Sequence, residues 1–582
     1  MRHLLDTRRP RLLLTLFCLL LWTPGFFTLP PGDRDESRFV QASKQMIETG
    51  DYVRIQNGAE ARNRKPIGIH WLQVPFAAAA RGLGLATENP VWPYRIPSAL
   101  GGLCAVLATF WAGQRLVGQR AALLAAGMLA ASVILVVEVH IAKTDAALLG
   151  ATTAAMAVLA RAYLDPGGIR PGAAALFWLA IGAGVLLKGP VTPMVAGLTV
   201  LALVVADRRA TWLRTLRPGW GVPLILAVVL PWFVAIGVAT GGQFFADAVG
   251  GDLGRKLASG DDSHWGPPGL HLLLLPVLLF PLSGLLPGAV LAAWRGRRTA
   301  PARFLAAWVV PSWIVFEAVP TKLPHYTLPL YPALCLLAAW WVLEPGRAVL
   351  PRWGRWLAVA LPCLGAVVLA VGALGGPVTL GMPFWLGLPT AAAAGLAGWL
   401  AVRAVLLPFP PGESWGEGVL AAEQGAASPA EPGLFLGEDQ PARPPHSNPL
   451  PQGEGAVTAL AASVVLYAAT LGFELPRLAP LWIAPRVVAA LPGRGGLGAV
   501  GFSEPSLMFL AGTDTQWLLA ADAPAALASG RIRTLLVGDR DQVAVLAGAE
   551  RADIRLQEVG TVPGFNYSRG RKVLLTLYRL AP

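Results

Sequence analysis

The chain predicts an all-α polytopic membrane helix bundle carrying a small C-terminal α/β domain. Three observations point there. Of 582 residues, 54% are hydrophobic and only 14% charged, with a mean hydropathy of +0.54; soluble domains run near 25% charged. Apolar runs close to the roughly 20 residues that span a bilayer recur along the chain. After about residue 480, short alternating apolar segments replace them.

The first apolar run, Leu12 to Leu29, follows Arg2, Arg8, Arg9 and Arg11. It reads as an uncleaved signal anchor with a cytoplasmic N-terminus. Further spans are expected at 96–113, 121–139, 146–164, 172–187, 190–206, 221–240, 269–292, 303–319, 326–343, 355–376, 384–403 and 456–475, about thirteen in all. The loop charges agree with the alternation. Arg115 and Arg120, Arg161 and Arg170, Arg208 to Arg217, Arg295 to Arg303, and Arg347 to Arg355 all fall on the inside if the N-terminus is inside. Acidic and mixed-charge clusters fall on the opposite side.

The net charge of +13 thus follows from topology and contact with membrane lipids, not from nucleic acid. Cys18, Cys104, Cys335 and Cys363 all lie in apolar runs, with no CxxC pair, and form neither a disulfide frame nor a metal site.

Between the first two spans lies a polar loop, residues 30–94. In it Phe39 to Gly50 has the pattern of an amphipathic helix, stopped by Gly50. Residues 408–455, rich in Pro, Gly, Glu and Ser, lack the apolar content of a core and are expected to be a disordered cytoplasmic insert. Residues 480–582 form the α/β domain, expected outside the cytoplasm. Its strands are placed at 533–537 and 572–577, its helical pieces at 506–510 and 523–527, and a turn at 564–568.

The loop opens on Asp33-Arg34-Asp35-Glu36-Ser37-Arg38-Phe39, two acids and two bases beside Asp35 at a membrane exit. Such charges are costly there unless they meet water, one another or a ligand. Arg64-Lys65-Pro66-Ile67-Gly68, Lys143-Thr144-Asp145, Leu187-Lys188-Gly189-Pro190 and Lys322-Leu323-Pro324-His325-Tyr326 fall on the same side. Taken singly, Asp35 also suits a solvated interfacial acid. Lys65 suits a snorkelling lysine, Tyr326 an aromatic-belt residue and Asp145 a helix cap.

In this order and topology the five segments resemble the bacterial GT-C membrane glycosyltransferases of the aminoarabinose-transferase type, relatives of the protein O-mannosyltransferases. The resemblance covers roughly residues 10 to 405, within a transmembrane catalytic domain set at 1–407. It implies transfer of a sugar from a polyprenyl-phosphate donor to a glycolipid, glycan or protein acceptor at the outer face of the inner membrane. It places Asp35 as the base of an inverting transfer, with Glu36 and Arg38 beside it. It puts Lys65, Arg255 and Tyr326 on the donor phosphate, and Asp145, Lys188 and Lys322 in the cavity wall. Lys188 and Lys322 are expected to pair with the acids.

The chain departs from the family at Arg64, where aminoarabinose transferases carry an acid associated with metal and aminosugar handling. His70, His140, His264, His271 and His325 show no ligand spacing. No required metal is expected, a divalent cation being the one cofactor alternative. The rival functions are a flippase or transporter of a lipid-linked sugar and a binding protein acting through its outer domain. No internal repeat supports the transporter.

Overall fold

The first apolar run begins at Pro10, which suits a helix start, and folds as α1 (Pro10–Trp22). It ends earlier than its apolar stretch because Pro24 and Gly25, the latter at φ +76°, break the helix. The structure is a computed structural model that describes residues 4–85, 89–165, 167–254, 265–344, 349–406, 453–493 and 495–581.

The polar loop is ordered. It contains α2 (Asp35–Thr49), a two-strand hairpin of β1 (Gln56–Asn57) and β2 (Glu60–Ala61), and α3 (Gly68–Gly82). Gly50, at φ 73°, closes α2 with its N–H on the Met46 carbonyl at 3.0 Å, a left-handed cap that other residues adopt at a cost. Both faces of α2 are largely buried, so it packs under other elements instead of floating in the interface.

The bundle follows with α4 (Trp92–Leu116), α5 (Gln119–Ala131), α6 (Val133–Val139), α7 (Thr144–Leu164), α8 (Pro171–Lys188), α9 (Val191–Asp207) and α10 (Pro218–Ala239). Beyond these come apolar helices at Leu270–Leu278, Leu286–Arg295, Ala300–Ala318, Tyr331–Leu343, Arg352–Thr379, Leu388–Leu406 and Glu454–Tyr467. Helix α7 is buried along most of its length. It sits close to α4 because a Cβ on Gly101 would lie 2.4 Å from the Ala147 Cα, and one on Gly150 2.6 Å from the Gly101 carbonyl. Small residues allow that approach, as membrane helices favour.

The expected thirteen crossings are not matched by helix length and composition. Among the described residues eight helices are long and apolar enough to cross a membrane, or nine if α5 and α6, bent by 59° about Ser132, form one span. Helices α1 and α9 are shorter, with 13 and 17 residues. The run at 269–292 is not one helix: Leu270–Leu278 stops short of Pro281, and Leu286–Arg295 starts afresh with Pro287 in its first turn, where a missing backbone donor is tolerated. Ala300–Ala318 is long enough but holds Arg303 and Glu317.

The C-terminal domain is a five-stranded sheet in the order β4 (Gln516–Trp517), β3 (Leu497–Val500), β5 (Thr534–Gly538), β7 (Arg571–Leu580), β6 (Leu556–Asn566). Strand β3 runs parallel to β4 and β5, and β7 antiparallel to β5 and β6. Leu497, Phe502, Leu507, Leu536, Leu575 and Leu577 build one of its cores. The two expected strands are β5 and the middle of β7. The expected helical pieces are Pro505–Ala511 and Ala523–Ala528. Residues 564–566 continue β6, so the turn begins only at Tyr567. The expected insert lies outside the described residues up to 452, and a helix has begun by Glu454.

This domain clamps the loop. Phe509 is fully buried against Val40, Ala77 and Tyr94; burying such a ring is worth about 1.5–3 kcal/mol. Lys44 donates to the Phe509 carbonyl at 3.2 Å, Gln41 to Thr513 at 3.0 Å, and Arg34 to the Ser568 carbonyl at 2.7 Å. Asp33 accepts from Ser506, and its N–H donates to the Tyr567 hydroxyl.

Candidate active site

Helix α7 starts at Thr144, α8 ends at Lys188, the helical stretch Pro324–Leu343 starts beside His325, and α2 starts at Asp35. These four termini meet at one end of the bundle. Arg115 with Asp165, Arg120 with Asp6, and Arg303 with Asp207 occupy the other.

Lys188 is the last residue of α8. Gly189, at φ 64°, turns the chain and donates to the Val185 carbonyl at 2.9 Å. A cation at a helix C-terminus is favoured by the helix dipole, just as Asp145 is in the first turn of α7. The two form an ion pair. Asp145 also lies 3.5 Å from Lys143 Nζ and 3.6 Å from His325 Nε2, and Lys143 Nζ lies 3.0 Å from Glu138. His325 Nδ1 is 3.6 Å from the same Glu138 oxygen. The second Glu138 oxygen, Oε2, makes no hydrogen bond.

On the loop side, Phe39 lies one helical turn beyond Asp35. Arg62 sits 4.3 Å from its ring centroid and Lys65 Nζ 5.3 Å. Lys188 Nζ sits 5.1 Å from the Tyr326 ring. Cations on aromatic faces keep their charge while shedding part of their hydration. The Lys65-Pro-Ile-Gly segment fits here because a Cβ on Gly68 would lie 2.6 Å from the Leu186 carbonyl, so only glycine lets α3 reach the end of α8. Burial and the neighbouring Lys188 lower the Lys65 ammonium to about 8, against the pull of Asp145 and Asp35. Asp35 remains exposed. Desolvation by the surrounding protein pushes its carboxyl up, but Lys65, Lys143, Arg62 and Arg38 outweigh it and hold it below the ordinary range. It is therefore ionised at neutral pH.

The expected site residues separate into three groups. Asp35, Arg38, Lys65, Asp145, Lys188 and Tyr326 converge, and Lys188 pairs with Asp145 as expected. Glu36 points the other way: it is 3% exposed and forms a two-pronged pair with Arg95 at 2.8 and 3.0 Å. It also accepts from Gly32 and Ala142 N–H groups at 2.7 and 2.8 Å. Contrary to the expectation, Lys322 pairs with no acid among the described residues. Its Nζ donates to the Glu317 and Val319 carbonyls at 3.0 and 2.7 Å, capping the helix that ends there. Arg255 lies outside the described residues.

Sequence reasoning passed over Arg62, Glu138, Lys143, His325 and Arg95. Lys143 and His325 stood inside segments already singled out. Glu138 carried a signal of its own, a charge inside the apolar run Val133–Val139. No three His, Cys, Asp or Glu side chains among the described residues are grouped to hold a metal. Glu138, Asp145 and His325 are instead engaged with Lys143 and Lys188. These residues do not fit a metal centre, and no step below passes through one.

Residues 65–234 match the model of the dolichyl-phosphate-mannose-protein mannosyltransferase family. An undecaprenyl phosphate-alpha-4-amino-4-deoxy-L-arabinose arabinosyl transferase of Pseudomonas aeruginosa is 31% identical over 449 residues, 72% of this chain and 78% of the relative. One from Pectobacterium carotovorum is 28% identical over 69% of this chain and 72% of its own. The fold is similar to the crystal structure of ArnT from Cupriavidus metallidurans bound to undecaprenyl phosphate, with a TM-score of 0.70 and 20% identity over 97% of each chain. That likeness takes in the C-terminal domain, which the sequence motifs leave out. The chain is a glycosyltransferase of the bacterial inner membrane and belongs to the GT-C aminoarabinose-transferase family.

Proposed function

We propose that this enzyme moves a sugar from a polyprenyl phosphate to an acceptor on the periplasmic side of the inner membrane, with inversion at the anomeric carbon. The observation that carries the reading is an ionised, exposed Asp35 among Lys65, Lys143, Arg62 and Arg38, a base beside a nest of cations. Asp35 takes the proton from the acceptor nucleophile as that atom bonds to the anomeric carbon. The bond from that carbon to the carrier phosphate oxygen breaks, and the negative charge left on the phosphate meets Lys65, Arg62, Lys188 and the Tyr326 hydroxyl. Arg38 supports Asp35 as an ion. Glu36 acts through Arg95 by fixing the start of α2. Asp145, with Glu138, Lys143 and His325, holds Lys188 in place.

The relatives named above act with 4-amino-4-deoxy-L-arabinose. In this chain Arg64 is exposed and near Asp247, whose carboxyl is lowered by hydrogen bonds from Asn63 and Gln243 and then by Arg64. A cation thus stands where the family carries an acid, which favours a donor without a free amine beside it. The test is reconstituted protein given undecaprenyl-phosphate sugars of both kinds. Released carrier phosphate and an inverted product support the reading. Passage of the intact lipid-linked sugar across the bilayer without cleavage of its phosphate bond would instead mark a transporter.

A further inference from the structure

A cavity of about 370 Å³ lies apart from the charged cluster, between the membrane helices Arg352–Thr379, Phe384–Leu406 and Glu454–Arg477 and strand β6. None of its lining residues belongs to the site above. Leu369, Leu475, Leu478 and Phe565 give it apolar walls, while Glu474 and Thr390 supply polar groups, each side chain's residue 3% exposed. Thr390 is the polar neighbour of Glu474, yet Glu474 Oε2 makes no hydrogen bond, and neither cation nor backbone N–H reaches it among the described residues.

The backbone explains how the acid gets there. The last membrane helix widens into a π-helical turn over Ala468–Glu474, ending on Glu474 itself. Such turns insert an extra residue, weaken helix packing and cluster at functional positions. A buried carboxylate at the membrane edge with no cation is unfavourable, and a charge in such a position implies a partner. The walls accept alkyl chains, and the carboxylate accepts from an N–H⁺ donor.

We propose that this cavity binds an aminophospholipid, its primary ammonium on Glu474 and its chains along the apolar walls. Phosphatidylethanolamine is the probe, with phosphatidylglycerol as the anionic control lacking an amine. The full chain, purified in mixed micelles of the two, is examined by native mass spectrometry. Phosphatidylethanolamine adducts should persist at least about tenfold over phosphatidylglycerol, the usual weight of a charge-assisted contact, and fall to parity in Glu474→Gln. Parity in the unaltered protein, or a preference that survives Glu474→Gln, overturns the proposal. A second measurement needs no variant. A membrane-permeant carbodiimide should label Glu474 in phosphatidylglycerol and be blocked by phosphatidylethanolamine; equal labelling in both lipids also overturns it. Sugar transfer by Glu474→Gln should stay within about twofold of the unaltered protein in a detergent without amine lipids, so a lost lipid preference stays distinguishable from a lost active site.

Discussion

Asp35 and Glu36 are neighbours in one helical turn and have opposite fates. Glu36 is buried, and each of its oxygens accepts from both the Arg95 guanidinium and a backbone N–H. Arg95 spends its remaining donors on the Phe26, Leu29 and Pro30 carbonyls. That node has no capacity left for a ligand; it joins α1, α2, α4 and the start of α7. The region around Asp35 is the reverse. Asp35 is exposed, Lys65 rests on an aromatic face, and Glu138 keeps an unpaired oxygen. Charges whose partners are complete build structure, and charges left short of partners are available for chemistry.

The contrast breaks most visibly at the saturated node. Arg95→Ala leaves Glu36 buried without its cation, a loss of about 3–5 kcal/mol. The protein should insert poorly or lose its thermal transition by fluorescence-detected chromatography. Full thermal stability of this variant would mean the node is not structural.

At the unsaturated cluster, Lys65→Ala should leave stability nearly unchanged and weaken carrier-phosphate binding by about 10–100-fold, since a charge-assisted contact is worth about 1.5–3 kcal/mol. Titration of the carrier measures it. The same contact predicts a pH dependence. Lys65 sits near 8, so its charge is present below that pH and lost above it. Carrier affinity should fall as pH rises from 7 to 9, and Lys65→Arg should flatten that profile.

The smallest effect concerns the clamp from the C-terminal domain. Burial, opposed by the Ser506 hydrogen bond, raises Asp33 to about 7. A carboxyl raised in the folded state stabilises it fully below its unfolded value and loses that contribution as pH rises through 7. Hydrogen exchange at Ser506–Phe509, corrected for intrinsic rates, should speed up modestly between pH 5 and 8. Asp33→Asn should abolish that change.

Much of this was legible in the chain. Arginine loops and apolar runs marked the bundle, and Gly50 marked the end of α2. Lys65, Asp145 and Lys188 were found because each stands in a short charged segment, and the order of these segments resembles a known family. Glu36 could not be told from Asp35, since both occupy the same first turn and only Arg95, some 59 residues on, separates them. Lys322 misled for a similar reason: a lysine four residues past a helix end serves its carbonyls as readily as an acid. The breaks in the 269–292 run depended on prolines whose consequences are tertiary.

The central claim is that base and phosphate site are distinct parts of one cluster. Carrier binding and sugar transfer, measured on one preparation of correctly inserted Asp35→Asn, test it most directly. Transfer should fall by about 10²–10⁴, the usual contribution of a general base, while carrier binding stays within about threefold. Near-normal transfer, or loss of carrier binding in parallel with transfer, would contradict it.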